Sequence, residues 1–413
     1  MVELKIKQGL DPEQLRKIIN GREVYVWGSG PLGFRVMLSL QKMGFPPVGF
    51  LDGRVSECGS SIHNLPVYPA EDKVKDSLAF IIIANLSVNV FAAQMCLRYG
   101  RVNMVSYLTH YQISRPEAAI DVAGMCNIQC PSCPRGNMEL VRPEGCMPLD
   151  TYRSVFDKLI REIPNLVHLE LYTWGEPLLN PELPEIIKYT EAHLGCTVST
   201  NLLCTDSIAA VVQANPSQLH ITVNGYGPAY ERNMRGAKWD LLIANLHELA
   251  TQRNKYQCSS KIRIFLYNYE SNSAGYVFMH DFANSLGIEL LRGHEYLNPY
   301  EHYLDYCMGK EQSVLVKNEL LHSAWNVDEL LDLALQDREK PCLCQRIFPI
   351  INWDTSVSLC HTYQGPVIAK SFLDLSWDEL LYERHRAEQC RNCQAYGLHR
   401  LDMDILKKRG LLV

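Results

Sequence analysis

The sequence predicts an α/β protein with a small N-terminal α/β unit, a central partial (β/α)6 barrel and a small cysteine-rich C-terminal domain. Three observations predict this arrangement. Apolar strand-like runs alternate with helical stretches, which is typical of parallel sheets. Six such strand–helix units follow one another in the middle of the chain, which indicates a barrel. The last part of the chain is short and holds five of the 15 cysteines.

The N-terminal unit is predicted to span residues 1–115. Its glycines fit the pattern G-x-G-x-x-G between a strand and a helix, and an acidic residue ends the next strand. Amides at such a helix start suit a phosphate, and the acid suits a ribose hydroxyl. One interpretation is therefore a nucleotide site, and the other is that these residues only brace the fold. The site residues are Gly28, Gly30, Gly33 and Asp52. Strands are expected at 23–27, 48–52 and 79–84, with a helix ending near Gly100.

The barrel is predicted to span residues 116–295, and a helical, acidic connector or lid follows at 296–340. The cysteine-rich domain at 341–413 is expected to hold a β-hairpin and a helix. The strands of the barrel are expected at 118–122, 166–172, 196–200, 218–223, 261–267 and 288–291, and two of its helices at 149–162 and 239–252. The hairpin strands are expected at 350–353 and 356–359, and the last helix at 377–388.

Composition limits the classes of partner. The chain has 413 residues and a formal net charge of -6, which argues against a nucleic-acid surface. Apolar runs are too short for a membrane span, and the N-terminal residues do not resemble a secretory signal. We therefore expect a cytoplasmic protein without nucleic-acid or membrane partners. Many cysteines in a reducing compartment indicate metal or redox chemistry.

Three cysteines directly follow the first barrel strand. Cys126, Cys130 and Cys133 have the spacing C-x3-C-x2-C. Three thiolates in one loop can hold three irons of a [4Fe–4S] cluster and leave the fourth iron without a protein ligand. Zinc is the alternative, but zinc normally takes four ligands, in pairs. The spacing therefore favours an iron–sulfur cluster.

This string resembles the signature of the radical S-adenosylmethionine (SAM) superfamily. The resemblance implies that the open iron binds SAM, that the C5′–S bond is cleaved reductively, and that the resulting 5′-deoxyadenosyl radical abstracts a substrate hydrogen. Gly175, Glu176 and Pro177 follow the second barrel strand and resemble the motif whose backbone binds the methionine amino group. Trp174 replaces the usual first glycine.

Polar residues after later strands resemble the same superfamily. Thr200 and Asn201 stand where the family binds the ribose, and Thr222 and Asn224 resemble its next strand-end motif. Arg235 is implied as a partner of the SAM carboxylate. Each residue alone could instead be a strand-end group that bonds its own loop. Their order after successive strands is what favours SAM binding.

The C-terminal cysteines fit a zinc knuckle and an iron–sulfur site equally well by spacing alone. The segment resembles the SPASM or twitch extension of radical enzymes, which implies one auxiliary [4Fe–4S] cluster closed by four cysteines. The implied ligands are Cys344, Cys360, Cys390 and Cys393, with Cys342 as the rival of Cys344. A closed cluster suits electron transfer better than substrate binding.

The N-terminal block resembles a Rossmann-like module attached to glycan-modifying enzymes. The chain is therefore expected to be a radical SAM enzyme that abstracts hydrogen from carbon in a sugar, nucleotide sugar or related small metabolite, with oxidation assisted by the auxiliary cluster. The alternatives are a peptide-modifying radical enzyme, a radical epimerase with Cys204 as a hydrogen donor, and a non-catalytic zinc-stapled interaction protein. A flavodoxin or ferredoxin is implied as the electron donor.

Overall fold

The computed structural model describes residues 12–53, 58–84, 107–109, 117–139, 144–163, 166, 168–267, 273–293, 297–322, 326–339, 342 and 347–401. Two of the predictions, Cys344 and the helix ending near Gly100, lie outside these residues. The chain divides into two units. One comprises Met1–Pro116 with Ile163–Val167, and the other comprises Glu117–Glu162 with His168–Val413.

The first unit is built on a six-stranded sheet with the order β3-β4-β2-β1-β5-β6. All its pairings are parallel except that of β3 with β4. Its strands are β1 (Glu23–Trp27), β2 (Gly49–Asp52), β3 (Ser61–Ile62), β4 (Leu65–Pro69), β5 (Ala79–Ile83) and β6 (Tyr107–Thr109), and its helices are Pro12–Ile19, Pro31–Lys42 and Ala70–Val74.

Both faces of this sheet are covered. Val26 and Ile82 point into a core with Leu15 and Leu40 of the helices, whereas alternate residues such as Trp27 belong to a second cluster. A parallel sheet that is buried on both sides requires nearly continuous apolar strands, which the runs EVYVW and AFIII supply.

The second unit is built on a nine-stranded sheet with the order β12-β11-β10-β9-β8-β7-β13-β14-β15. The six strands from β7 to β12 are parallel neighbours in chain order, as in a partial (β/α)6 barrel. They are β7 (Glu117–Ile120), β8 (His168–Glu170), β9 (Gly195–Thr200), β10 (Gln218–Asn224), β11 (Lys261–Tyr267) and β12 (Glu289–Gly293). The helices between them are Pro134–Asn137, Leu149–Glu162, Leu183–Glu191, Thr205–Ala214, Pro228–Asn233, Trp239–Lys255 and Ser273–Ser285.

The C-terminal hairpin extends this same sheet. β13 (Ile347–Ile351) pairs in parallel with β7, and the antiparallel strands β14 (Val357–Ser358) and β15 (Val367–Ala369) follow. The hairpin turn has Thr355 at φ 72°, and the Asp354 carboxylate accepts a hydrogen bond from the Ser356 amide at 3.1 Å. Thr355 thus takes the left-handed conformation for which glycine is usual, with an aspartate turn beside it.

Helices pack around the C-terminal cysteines. They include the predicted connector, which forms three helices whose core contains Tyr303, Leu330, Tyr363 and Cys393. No helix in the described ranges is both long and apolar enough to cross a membrane. The helices are Glu301–Cys307, Val314–His322, Val327–Gln336, Trp377–Arg386 and Glu388–Ala395.

Candidate functional site: a cysteine loop at the strand ends of the barrel sheet

The three-cysteine loop starts six residues after β7 and is held by local backbone bonds. The Cys133 amide donates to the Cys130 carbonyl at 3.0 Å, and the Gly136 amide donates to the Cys133 carbonyl at 2.9 Å. A Cβ at Gly136 would lie 2.2 Å from the Cys130 carbonyl oxygen, so only glycine fits there. Cys126, Cys130 and Cys133 are all partly exposed. The loop therefore presents three thiols that a cluster can reach.

Two charged side chains fix the Gly175 loop beside the cysteine loop. Buried Asp121 accepts hydrogen bonds from the amides of Thr173 and Trp174, at 3.2 and 3.4 Å. Arg135 donates to the Trp174 carbonyl at 2.7 Å and to the Gly124 carbonyl. Sequence reasoning missed both residues. An acid ending an apolar strand, as Asp121 does, is a signal that could have found one of them.

Gly175 lies in direct contact with the strand end before the cysteines. A Cβ on Gly175 would lie 1.4 Å from the Ala123 carbonyl oxygen, and the Glu176 amide donates to the Met125 carbonyl at 2.8 Å. A side chain at position 175 would force the two loops apart. The glycine is thus required by close backbone approach.

The Glu176 carboxylate points into the protein. It accepts hydrogen bonds from the Thr200 hydroxyl at 2.7 Å, the Asn201 amide at 2.8 Å and the Leu178 amide at 3.1 Å. Burial raises the pKa of Glu176 to about 7, although these three donors act in the opposite direction. The side chain ties the loop after β8 to the end of β9. Pro177 follows it as the buried first residue of a short 3₁₀ turn.

Asn201 brings the end of β9 to the cysteine loop. Its side-chain amide donates to Asn127 Oδ1 at 2.7 Å and lies 3.8 Å from Cys126 Sγ. Asn127 in turn donates to the Cys204 thiol at 3.6 Å. Burial raises the pKa of Cys126 to about 11 and that of Cys204 to about 12, so both bare thiols are protonated at neutral pH.

The end of β10 adds further polar groups. The Thr222 hydroxyl is 3.4 Å from the hydroxyl of Ser199, and Asn224 is buried at the last position of the strand. The carbonyl of Arg235 accepts a hydrogen bond from the Gln129 amide of the cysteine loop at 2.8 Å, while the Arg235 side chain is exposed. These contacts place the residues predicted to bind SAM in one set of neighbouring loops.

The donor set fits a [4Fe–4S] cluster. In such a cluster each thiolate binds a different iron, so the sulfurs need not converge on a point. Within the described ranges no three His, Cys, Asp or Glu side chains converge closely enough to hold a single metal ion. The Tyr230 hydroxyl is buried and has no hydrogen-bond partner among the described residues, and its pKa is raised by burial and, to a smaller degree, by the nearby Cys130 thiol. A cluster beside Cys130 would supply the acceptor that this hydroxyl needs.

The sequence family described as the radical SAM superfamily matches residues 120–274, from the end of β7 into the helix after β11. These residues are similar to a radical SAM domain. The domain binds a [4Fe–4S] cluster and S-adenosylmethionine. Its match contains the cysteine loop, the Gly175 loop and the polar ends of β9 and β10.

Solved structures with a similar course of the chain share little sequence identity with this protein. BtrN in complex with AdoMet and 2-DOIA is 11% identical, with 69% of this chain and 89% of that chain covered and a TM-score of 0.38. Native anSMEcpe with bound AdoMet is 15% identical, with coverage of 71% and 97% and a TM-score of 0.42. Streptococcus suis SuiB bound to precursor peptide SuiA is 15% identical, with coverage of 69% and 71% and a TM-score of 0.42. No curated protein matches the sequence.

A second group of thiols lies outside the radical SAM domain. Cys390 and Cys393 lie three residues apart on the helix Glu388–Ala395, and Cys360 follows β14. Burial raises the pKa of Cys390 to about 11 and that of Cys393 to about 12, and the neighbouring thiols of Cys360 and Cys342 raise both further. Such crowding of thiols is relieved when cationic iron binds them.

Two hydroxyl-bearing residues lie beside this second group. The Thr362 hydroxyl lies 3.2 Å from Cys360 Sγ, and Tyr363 packs in the same core cluster as Cys360 and Cys393. Tyr363 is buried, and its pKa is raised well above the usual value by that burial. Sequence reasoning missed both residues, and their position directly after Cys360 is the signal that could have found them.

The glycine-rich loop of the first unit is held in place by hydrogen bonds to the end of β2. Buried Asp52 accepts hydrogen bonds from the Ser29 hydroxyl at 2.6 Å and the Ser29 amide at 3.4 Å, both on one carboxylate oxygen. Gly28 has φ 118°, and a Cβ on Gly33 would lie 1.7 Å from the Gly28 carbonyl oxygen. Gly30 has open space where a Cβ would stand. The loop therefore requires Gly28 and Gly33 for its own geometry.

Proposed function

We propose that this radical SAM enzyme abstracts a hydrogen atom from a carbon of a sugar, nucleotide sugar or related small metabolite. The observation that carries the proposal is the contact of Asn201 with the cysteine loop, 2.7 Å from Asn127 Oδ1 and 3.8 Å from Cys126 Sγ. The same residue donates its amide to Glu176. One residue, through its side chain on one side and its backbone amide on the other, thus joins the cluster loop to the loops that are proposed to hold SAM.

When bound, the cluster and SAM together supply a carbon-centred radical by reductive cleavage of the C5′–S bond. The residues of the chain bind the cluster and SAM and orient them. We assign Cys126, Cys130 and Cys133 to the cluster, and the backbone at Gly175 and Glu176 to the methionine amino group. Pro177, which starts the 3₁₀ turn, belongs to the same motif.

The remaining SAM groups are assigned to the polar strand ends. Thr200 and Asn201 at the end of β9, with Thr222 and Asn224 on β10, suit the ribose hydroxyls, because hydroxyl and amide groups both donate and accept hydrogen bonds. The exposed guanidinium of Arg235 suits the SAM carboxylate, because guanidinium binds carboxylate in a paired geometry. The buried Glu176 side chain positions Thr200 and Asn201.

A second [4Fe–4S] cluster is proposed on the C-terminal cysteines. Cys360, Cys390 and Cys393 supply three ligands, and Cys344 is assigned as the fourth, with Cys342 as its rival. The mutual electrostatic effects of Cys342, Cys360, Cys390 and Cys393 support a cluster at this place. A cluster closed by four thiolates suits uptake of the second electron from the substrate radical, which completes a two-electron oxidation.

The substrate class is proposed from the first unit. Its parallel sheet carries a glycine-rich loop between β1 and the helix Pro31–Lys42, an arrangement whose amides suit a phosphate. A phosphorylated sugar or nucleotide bound by Gly28, Gly30, Gly33 and Asp52 is the proposed ligand. Asp52, the last residue of β2, is the residue assigned to a ribose hydroxyl.

The decisive experiment is anaerobic incubation of the reconstituted enzyme with SAM and dithionite. We expect 5′-deoxyadenosine from the parent and none from the variant C126S/C130S/C133S. The control is C58S/C258S, which replaces two partly buried thiols that are not assigned to either cluster. If the triple variant forms as much 5′-deoxyadenosine as the parent, the proposed mechanism is wrong. A colourless, zinc-containing parent that forms none would identify the zinc-stapled alternative.

A second experiment identifies the substrate. The enzyme is incubated with a panel of nucleotide sugars, each deuterated at the ring carbons, and deuterium in 5′-deoxyadenosine marks the substrate. Loss of two hydrogens from the product indicates oxidation, whereas entry of solvent deuterium at the same carbon would indicate epimerisation with Cys204 as hydrogen donor. Deuterium transfer from a peptide but from no sugar would contradict the proposed substrate class.

A third experiment decides the fourth auxiliary ligand. Iron content and the EPR signal of the reduced auxiliary cluster are compared in C344S and C342S, each in the background of C126S/C130S/C133S. We expect loss of the signal in C344S and its retention in C342S. The reverse result would assign Cys342.

A further inference from the structure

The cysteine loop is hydrogen-bonded to the segment that precedes the helix Glu301–Cys307. The Asn298 amide donates to the Ser132 carbonyl, inside the loop, at 2.9 Å. Asn137, which ends the short helix after the loop, donates from its side-chain amide to the Asn298 carbonyl at 2.7 Å and to the Pro131 carbonyl at 2.8 Å. Both backbone polar groups of Asn298 thus bond either the loop or the helix that follows it.

A buried histidine fixes the orientation of the Asn137 side chain. The amide nitrogen of Asn137 donates to two carbonyls, so its oxygen is the atom that faces His302, whose Nε2 lies 3.0 Å away. An amide oxygen only accepts, so the Nε2 of His302 carries the proton and donates the hydrogen bond. Burial lowers the pKa of His302, so the ring is neutral at neutral pH. Asn137 is therefore held by three hydrogen bonds.

The same segment holds the loop that follows Cys360. The Tyr300 amide, two residues after Asn298, donates to the Thr362 carbonyl at 2.8 Å. The Thr362 hydroxyl in turn lies 3.2 Å from Cys360 Sγ. Segment 297–302 is thus bonded to the cysteine loop at one residue and to the loop of the second thiol group two residues later.

Further contacts strengthen the attachment of this segment to the Cys360 loop. The Glu301 carboxylate accepts hydrogen bonds from the amides of Gln364 and Gly365, at 2.8 and 3.0 Å. The Tyr300 ring contacts the Tyr363 ring with centroids 6.0 Å apart, and both rings lie in one buried core. A displacement of the Cys360 loop would therefore also displace segment 297–302.

We propose that Asn137 is a positioning residue that couples the two cluster sites, so that a filled auxiliary site holds the cysteine loop in the conformation that retains the SAM cluster. The proposal rests on the proposed function, from which it takes both sets of cluster ligands. A cluster on Cys360 would fix the loop at Thr362, and the backbone bonds of segment 297–302 would carry that order to Ser132. A loop that one ligand has ordered costs less conformational entropy to order for a second ligand.

Asn137 is the point at which this connection can be broken without removing a cluster ligand. Its two donated bonds join residues of the cysteine loop and of segment 297–302, and its accepted bond comes from His302. Leucine has a similar branched shape but no hydrogen-bonding group. Asn137→Leu therefore leaves the carbonyls of Pro131 and Asn298 without this donor and separates the loop from the segment.

The test is a double-mutant cycle on the anaerobically reconstituted full-length protein. One change is Asn137→Leu, and the other is C390S/C393S, which removes the auxiliary cluster. The readout is the rate at which an iron chelator abolishes the EPR signal that shifts on addition of SAM, because that signal belongs to the cluster with an open iron. The matched control is Asn254→Leu, at an exposed position of the helix Trp239–Lys255.

We expect each change alone to speed the loss of the SAM-responsive signal about tenfold, which is within the usual range of coupling between two sites. The combined variant should be only slightly faster than either one, because the second change removes a coupling that the first has already broken. Asn254→Leu should match the parent. Rates that multiply in the combined variant, or an unchanged rate in C390S/C393S, would overturn the proposal.

His302 provides a second test that leaves Asn137 in place. His302→Gln keeps a donor that can reach the Asn137 oxygen, whereas His302→Leu removes it. The glutamine variant should lose its SAM-responsive signal within about twofold of the parent rate, and the leucine variant should match Asn137→Leu. Equal rates in the two His302 variants would overturn the positioning role. A parent with no SAM-responsive signal and no 5′-deoxyadenosine would instead overturn the proposed function.

Discussion

The Thr200 hydroxyl donates a hydrogen bond to the buried carboxylate of Glu176 at 2.7 Å. The two residues are 24 positions apart: Glu176 follows β8, and Thr200 is the last residue of the adjacent strand β9. This hydrogen bond holds the loop that carries a cofactor motif against the end of the next strand. Burial raises the pKa of the Glu176 carboxyl to about 7, so the group titrates near neutral pH. Titration of this carboxylate gives the first prediction.

Glu176→Gln should flatten part of the pH dependence of stability. The pKa of the Glu176 carboxyl is about 7 in the folded protein against the ordinary value of 4.5. Its protonated form therefore contributes fully to the free energy of unfolding below pH 4.5, and this contribution is lost as pH rises through about 7. A glutamine cannot ionise, so the variant should gain about 3 kcal/mol relative to the parent between these limits. Urea unfolding at pH 4.5 and 7.5 measures this gain. Parallel profiles of the parent and the variant would contradict it, and Glu185→Gln on the surface is the control.

Gly175→Ala should separate the Gly175 loop from the cysteine loop. The added Cβ would lie 1.4 Å from the Ala123 carbonyl oxygen, and backbone must move to relieve the clash. We expect SAM affinity to fall about tenfold or more, which corresponds to about 1.4 kcal/mol or more of strain. Equilibrium dialysis with labelled SAM measures the change. Gly53→Ala, where a Cβ meets open space, should leave affinity unchanged. Equal losses in both variants would count against the role of the close approach.

Lys158→Met should destabilise the attachment of the C-terminal part to the barrel. The ammonium group of Lys158, on the helix Leu149–Glu162, donates to the carbonyls of Phe372 at 2.7 Å and Leu375 at 2.5 Å. Both acceptors would be left without this donor, so we expect a loss of about 2–3 kcal/mol in the free energy of unfolding. Thermal unfolding of the apoprotein measures it. Lys188→Met, at a surface ion pair, should cost less than about 1 kcal/mol, and an equal cost for both would contradict the assignment.

Tyr363→Phe should lower the midpoint potential of the proposed auxiliary cluster. Tyr363 and Cys393 lie in one buried core, and a hydroxyl that donates a hydrogen bond to a ligand sulfur favours the reduced, more negative cluster. EPR-monitored redox titration in the background of C126S/C130S/C133S measures the shift. The exposed Tyr382, changed to phenylalanine, is the control. An unchanged potential in Tyr363→Phe would show that the hydroxyl does not contact the cluster, and the absence of any signal in the parent background would show that no cluster forms there.

Strands and helices with a strong local pattern were predictable. β11 spans Lys261–Tyr267 and one helix spans Leu149–Glu162, as their periodicity predicts. β8 is shorter than its apolar run, although the Leu171 amide still donates to Thr197 beyond its end. The helix from Trp377 ends at Arg386 because Ala387 adopts an extended conformation and begins the next helix. The local sequence gives no signal for the end of the helix at this position.

Tertiary pairing explains what the sequence could not predict. β13 begins three residues earlier than expected because it pairs with β7, more than 200 residues away in the chain. Cysteine spacing was enough to predict a cluster loop at Cys126, Cys130 and Cys133. The partners of Asp121 and Arg135, which hold that loop in place, were not predictable, because Asp121 bonds residues 52 and 53 positions away and Arg135 bonds one 39 positions away. The structural role of a buried charged side chain can be assigned only when its distant hydrogen-bond partner is known.

The pairing of β13 with β7 means that the C-terminal segment cannot be treated as a detachable appendage. A chain shortened before Ile347 would leave the backbone amides and carbonyls of Glu117–Ile120 unpaired along one edge, next to the loop that carries the three cysteines. Exposed strand edges recruit other chains. Truncated forms of this protein should therefore self-associate, and its iron-loading yield should be judged only on the full-length chain.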